Sequence, residues 1–98
     1  MSDIDKVLEQ RGQQNGDYSL QSDIEQEIKR AIYSTGREDL SPYMRSSIDQ
    51  IAHKLARIAT GDIWHEDHWD DIQGYAKLAG DRVKARNRSA LHPPLMED

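Results

Sequence analysis

The chain has no cysteine. That excludes a disulfide framework and any thiolate metal site, and it suits a reducing compartment, so a cytoplasmic location is expected. Phenylalanine is also missing, and the large apolar side chains are mostly Ile and Leu, with Trp64 and Trp69. No apolar run approaches the length of a membrane span, so no membrane partner is expected. The opening Met1-Ser2-Asp3-Ile4-Asp5 is acidic and mixed, unlike a signal peptide. There is no Gly-rich phosphate loop and no nucleophile elbow, and Ser, His and Asp fall in no readable triad order. No segment alternates strictly between apolar and polar, so no strand is expected.

What is present fits one small domain. Of 98 residues, 36% are apolar and 32% charged, so the core must be lean. A homo-oligomer would extend the buried area, and self-association is expected for that reason. The formal net charge is −5, which argues against DNA as a partner. The basic stretch Arg82-Val83-Lys84-Ala85-Arg86-Asn87-Arg88 reads as favourable charge at a helix C-terminus.

Helical spacing recurs four times, which makes the chain all-α. Ile4, Val7 and Leu8 mark a short N-terminal helix capped by Ser2 and ending at Arg11-Gly12. Asn15-Gly16 is a turn signal. A helix near 20–35 starts at Ser19 or Ser22, where Ser22 and Glu25 form a capping box, and Gly36 stops it. Leu20, Ile24, Ile28 and Ile32 give it an apolar stripe. Ser41-Pro42 opens a helix near 41–60, and another runs near 66–86. Their seams are Met44, Ile48, Ile51, Leu55, Ile58 and Trp69, Ile72, Ala76, Ala79, Val83. The short connection makes these two an antiparallel αα-hairpin, the base of a three- to four-helix bundle. The centre of the core is expected at Ile48, Ile51, Leu55, Ile58, Ile72, Ala76 and Ala79. Gly74 and Gly80 suggest that a partner helix packs closely there. The domain is expected to span 1–88, with a flexible tail at 89–98 carrying Pro93-Pro94.

The densest polar constellation lies at the junction of the last two helices. His68, Asp67 and Asp71, with His65 beside them, have the residue types of a divalent-metal site. The plainer reading is that acidic groups and His there complement a helix N-terminus. His53 falls nearly opposite its own seam and should be solvated. Lys54 and Arg57 share one flank of the third helix, and Asp71 and Tyr75 share one of the fourth, so an antiparallel hairpin can bring them together. The set is either an ion-pair network or a phosphate pocket with Arg57 as the forked ligand and Lys54 as the point charge.

Several blocks carry a resemblance: Val7-Leu8-Glu9-Gln10-Arg11-Gly12, Gly16-Asp17-Tyr18, Ile51 to Ile58 with Lys54-x-x-Arg57, Gly61-Asp62, and His68 to Ala76 with Trp69-x-Asp71-Ile72-x-Gly74-Tyr75-Ala76. Together they span about residues 4–84 and resemble a family of small phage and prophage proteins of unknown function. That family is distantly similar to the all-α nucleotide pyrophosphatases of the MazG type, which hold Mg²⁺ on acidic helix motifs. The pattern of those enzymes is a Glu-Glu-x-x-Glu helix followed by Glu-x-x-Asp. Here Glu25 and Glu27 do not form the first, and His68-x-x-Asp71 or Asp67-x-x-x-Asp71 answers the second only in part. The resemblance therefore implies a phage-encoded accessory domain that binds a nucleotide or phosphate with weak or no catalysis, with Mg²⁺ as its cofactor if it has one. The alternative is a phage protein that binds and modulates a host protein, a role that small size and acidic charge also suit.

Overall fold

A computed structural model describes residues 3–91. It contains four helices: α1 (Asp3–Asn15), α2 (Tyr18–Tyr33), α3 (Pro42–Thr60) and α4 (Glu66–Leu91). The described residues include no strand, so the all-α reading holds. The expected Ser2 cap lies outside the described residues. Positions 89–91, expected in a flexible tail, belong to α4, which continues through Leu91; positions 92–98 lie outside the described residues.

Local chemistry sets the helix ends. α2 starts earlier than Ser19 or Ser22, since Asp17 is its N-cap and accepts from the Leu20 amide at 2.8 Å. Ser22 consequently lies inside the helix, where no capping box can form. Pro42 opens α3 as expected, while the Ser41 hydroxyl makes no capping bond. The Gly61 amide closes α3 on the Arg57 carbonyl at 2.9 Å. In the following loop Asp62 accepts from the Trp64 amide, and the Trp69 indole donates to the Ile63 carbonyl at 3.1 Å.

Helix α3 is the spine. It contacts α1, α2 and α4, whereas α2 and α4 do not touch each other among the described residues. Lys54 meets Asp71, and Tyr43 lies under the Arg82 guanidinium, so α3 and α4 run antiparallel as expected. On the other flank Tyr33 donates to Asp49 at 2.7 Å, and His53 pairs with Glu25. His53 is therefore not free in solvent: α2 packs against the face that the seam pattern left open. Burial and the bond to Asp49 both push the Tyr33 hydroxyl pKa up.

The core differs from the expected one. Its fully buried apolar residues are Ala52 and Ala56. Leu55 is 40% exposed and Trp69 47% exposed; Ala76 is also exposed, and Ile48, Ile51, Ile58, Ile72 and Ala79 are half-buried. The α2 stripe is open at both ends, at Leu20 and Ile32, and Gln21 is its buried residue. No atom beyond the local helix lies within 4 Å of a Cβ built at Gly74 or Gly80, so no helix of this chain packs closely there. The radius of gyration is 18.3 Å, against about 13 Å for a compact domain of this length. The excess lies along one axis, since the principal extents are 71 × 27 × 23 Å.

One close approach fixes the α1–α2 corner. Gly16 has φ +82°, and a Cβ there would overlap the Thr60 carbonyl at the end of α3. Gly16→Ala should therefore cost about 2 kcal/mol or more, from left-handed strain plus the overlap. Gly12 has open space around it, so Gly12→Ala should gain up to about 1 kcal/mol of helix stability. Urea melts of the two variants should move in opposite directions.

Candidate functional site

The spacing of Lys54 and Arg57 puts them one turn apart on α3. Asp71 comes from the second turn of α4 and meets Lys54, with Nζ to Oδ2 at 2.8 Å. The bond to Lys54, then its charge, holds the Asp71 carboxyl below the usual carboxylate range, and the charges of His68 and Arg57 add to this. Arg57 does not take Asp71 as a partner. Its Nε is buried with no hydrogen-bond partner among the described residues. Lys54 has taken the carboxylate that an ion-pair network would have offered to Arg57.

These side chains line a cleft of about 420 Å³ together with Arg11, His65, Asp67 and His68. The volume lies in the range of small-molecule sites. Its charges sort into two groups. Lys54 is matched by Asp71, and Asp67 lies 3.7 Å from the His65 Nε2. Arg11 and Arg57 form no ion pair with a described residue. His68 is 3% exposed and meets the His65 ring edge-on at 4.7 Å between centroids. The two imidazoles thereby pack together at the start of α4.

The expected residues are only partly brought together. Lys54, Arg57 and Asp71 share the cleft. Tyr75 does not: it lines a separate depression with Asp70, Asp71, Gly74 and Leu78, one turn further along α4. The trio weighed for a metal, Asp67, His68 and Asp71, lies around the cleft. Yet among the described residues no three such groups converge to hold an ion. Asp71 is already engaged by an ammonium, which competes for the oxygen a hard cation needs. The residues therefore do not fit an Mg²⁺ clamp.

Sequence reasoning missed Arg11, which it marked only as the end of the first helix; α1 in fact runs on through Gly12 to Asn15, because a lone glycine with open space around it does not stop a helix. It also missed Gln21, which lies beside the apolar stripe and carries no signal of burial. The Asn15-Gly16 turn was the available clue, because it folds α1 back toward the end of α3. The chain matches no protein-family model, and no curated protein and no solved structure is significantly similar to it.

The Lys54–Asp71 pair has a signed pH consequence. A depressed carboxyl pKa contributes stability that is fully present above the unfolded value, near pH 4, and is lost as pH falls through the folded value. Lys54→Met should remove that contribution. Urea midpoints of parent and variant should therefore differ at pH 6 and converge as pH drops below about 4. A gap of constant size across that range would show that the pair contributes nothing through ionisation.

Proposed function

We propose that the chain is a small binding domain for a nucleotide or other phosphate-bearing small molecule, seated in the cleft between α1, α3 and α4. The observation that supports this most is Arg57, whose buried Nε has no partner among the described residues. An unmatched buried donor on a charged group is costly. An anion would supply the missing acceptor. Arg11 lines the same cleft and adds a second guanidinium. Guanidinium forks match phosphate geometry, and such charge-assisted bonds are about twice as strong as neutral ones. Lys54 contributes charge through its pair with Asp71, and its role is support. The chain's overall charge of −5 would repel a polyanion, which favours a small ligand over nucleic acid.

The test is a thermal-shift series with inorganic phosphate, pyrophosphate and nucleotides, since a ligand that binds only the folded state stabilises it by mass action. The parent should shift. Arg57→Ala should abolish the shift and change the urea midpoint of the free protein by less than about 1 kcal/mol, as expected for a guanidinium with no carboxylate partner. A flat series in the parent would overturn the reading and leave the modulation of a host protein in front.

The open helical layer supports a second reading, which is self-association. Leu55 and Trp69 lie on the α3 and α4 seams, and both are more than a third exposed. With two alanines as the fully buried apolar residues, the chain has much apolar surface left to cover, and a second copy offers a matching seam. Sedimentation should therefore show a dimer or larger species that Leu55→Glu converts to monomer. A parent that stays monomeric up to millimolar concentration would overturn this.

A further inference from the structure

The cleft continues into a second cavity. Arg11 and Arg57 form the wall between them, so each arginine lines both. The second cavity measures about 510 Å³ and is bounded by Leu8, Gly12, Gly16, Tyr18 and Gln21 as well as Asp17. Its character differs from the first. The first is lined by cations, carboxylates and imidazoles. Besides the two arginines, the second presents an aliphatic side chain, two glycine backbones, a phenol ring, one carboxamide and the Asp17 carboxylate, which is engaged in capping α2.

That carboxamide stands out. Gln21 is 4% exposed, yet its Nε2 has no hydrogen-bond partner among the described residues. A buried amide without a partner is disfavoured by the cost of its lost hydration. Here it lines a cavity large enough to admit a group that accepts from it. One turn before it on the same face of α2, Tyr18 is 79% exposed, so its ring is free to cover an incoming flat group. Gly12 and Gly16 leave the intervening wall without side chains.

A flat group with a hydrogen-bond acceptor on its edge suits this cavity. An anion suits the adjoining one, and the shared arginines set the two side by side. We infer that the second cavity seats a nucleobase, so that the ligand is a nucleoside phosphate with its phosphate on Arg57 and Arg11, its base stacked on Tyr18 and the edge of that base at the Gln21 carboxamide. This rests on the anion-binding reading of the first cleft and adds the identity of the organic half. Aromatic stacking tolerates any base, whereas the carboxamide donor requires an acceptor on the base edge. Gln21 is therefore the residue that selects among bases.

The experiment is calorimetric titration of the full chain with inorganic phosphate, ribose 5-phosphate, and the 5′-monophosphates of adenosine, guanosine, cytidine and uridine. At least one nucleotide should bind about tenfold or more tightly than ribose 5-phosphate, the factor expected when one buried donor gains its partner. Gln21→Leu should erase that advantage and leave the ribose 5-phosphate affinity unchanged. Tyr18→Ala, at an exposed position that the fold does not need, should reduce the nucleotide advantage in the same selective way. It decides the matter if Gln21→Leu fails to fold. Should ribose 5-phosphate bind as tightly as every nucleotide, the base seat is wrong while the anion site stands. Binding of none of these probes overturns both. A nucleotide preference that survives both substitutions overturns the assignment to this cavity.

Discussion

Helix α3 can touch the other three helices because its two deepest residues are small. Ala52 and Ala56, four apart and so on one stripe, are fully buried. An alanine stripe lets a neighbouring backbone approach closely, and it contributes little apolar area in return. The packing of this chain is therefore close without being strongly stabilising. Each flank of α3 adds specific polar contacts: Tyr33 to Asp49 and Glu25 to His53 on the α2 side, Lys54 to Asp71 on the α4 side. Such bonds fix register more than they add net stability. The antiparallel alignment of both pairs of helices follows from them.

Against that pattern the cleft is the exception. Elsewhere along α3 a half-buried polar group has a partner across the helix interface. At Arg57 and Gln21 a buried nitrogen has none among the described residues. Buried polar groups in folded proteins are satisfied as a rule, and departures concentrate at functional sites. Both departures occur where α1 and α2 fold back on the end of α3, the corner held by Gly16 against Thr60. The unsatisfied groups and the left-handed glycine thus belong to one local arrangement. The cavity is a consequence of that corner, because the reversal holds Arg11 and Tyr18 away from α3 instead of packing them onto it.

The helices were legible in the sequence, and their seams were only half legible. Caps, prolines and glycines act locally, so Pro42, Gly61 and the 3.6-residue spacing placed both ends of α3 and the start of α4 within a residue or two, whereas α4 runs five residues past its expected end at 86. The α2 start was missed because Asp17, Ser19 and Ser22 are all competent caps, and local chemistry alone does not rank them. The seam residues were identified from periodicity, which says that one face is apolar. It does not say that another element of the same chain covers it. Leu55 is on the apolar face and remains 40% exposed for that reason. Likewise the flank of Lys54 and Arg57 could be set against Asp71 from the hairpin's antiparallel sense, though not which of the two cations takes the carboxylate, whereas Arg11 and Gln21 reach the site through a reversal at Gly16 whose direction spacing does not encode.

The two proposed surfaces of α3 do not compete, and helix geometry explains why. Leu55 and Arg57 are two residues apart, about 200° around an α-helix. Lys54, on the same cleft, is about 100° from Leu55, so the exposed apolar seam and the cationic cleft occupy adjoining faces of the same helix, with Arg57 on the far edge. A second copy laid on the Leu55 side leaves the Arg57 side open to a ligand. It also supplies the apolar burial that Ala52 and Ala56 cannot, which would steady the spine that the cleft depends on. The corner formed by α1 and α2 is held to α3 over a limited area, and local stability follows local burial. A cleft on a marginal scaffold gains from anything that stiffens α3, so association at one face would tighten binding at the other without any contact between the two sites.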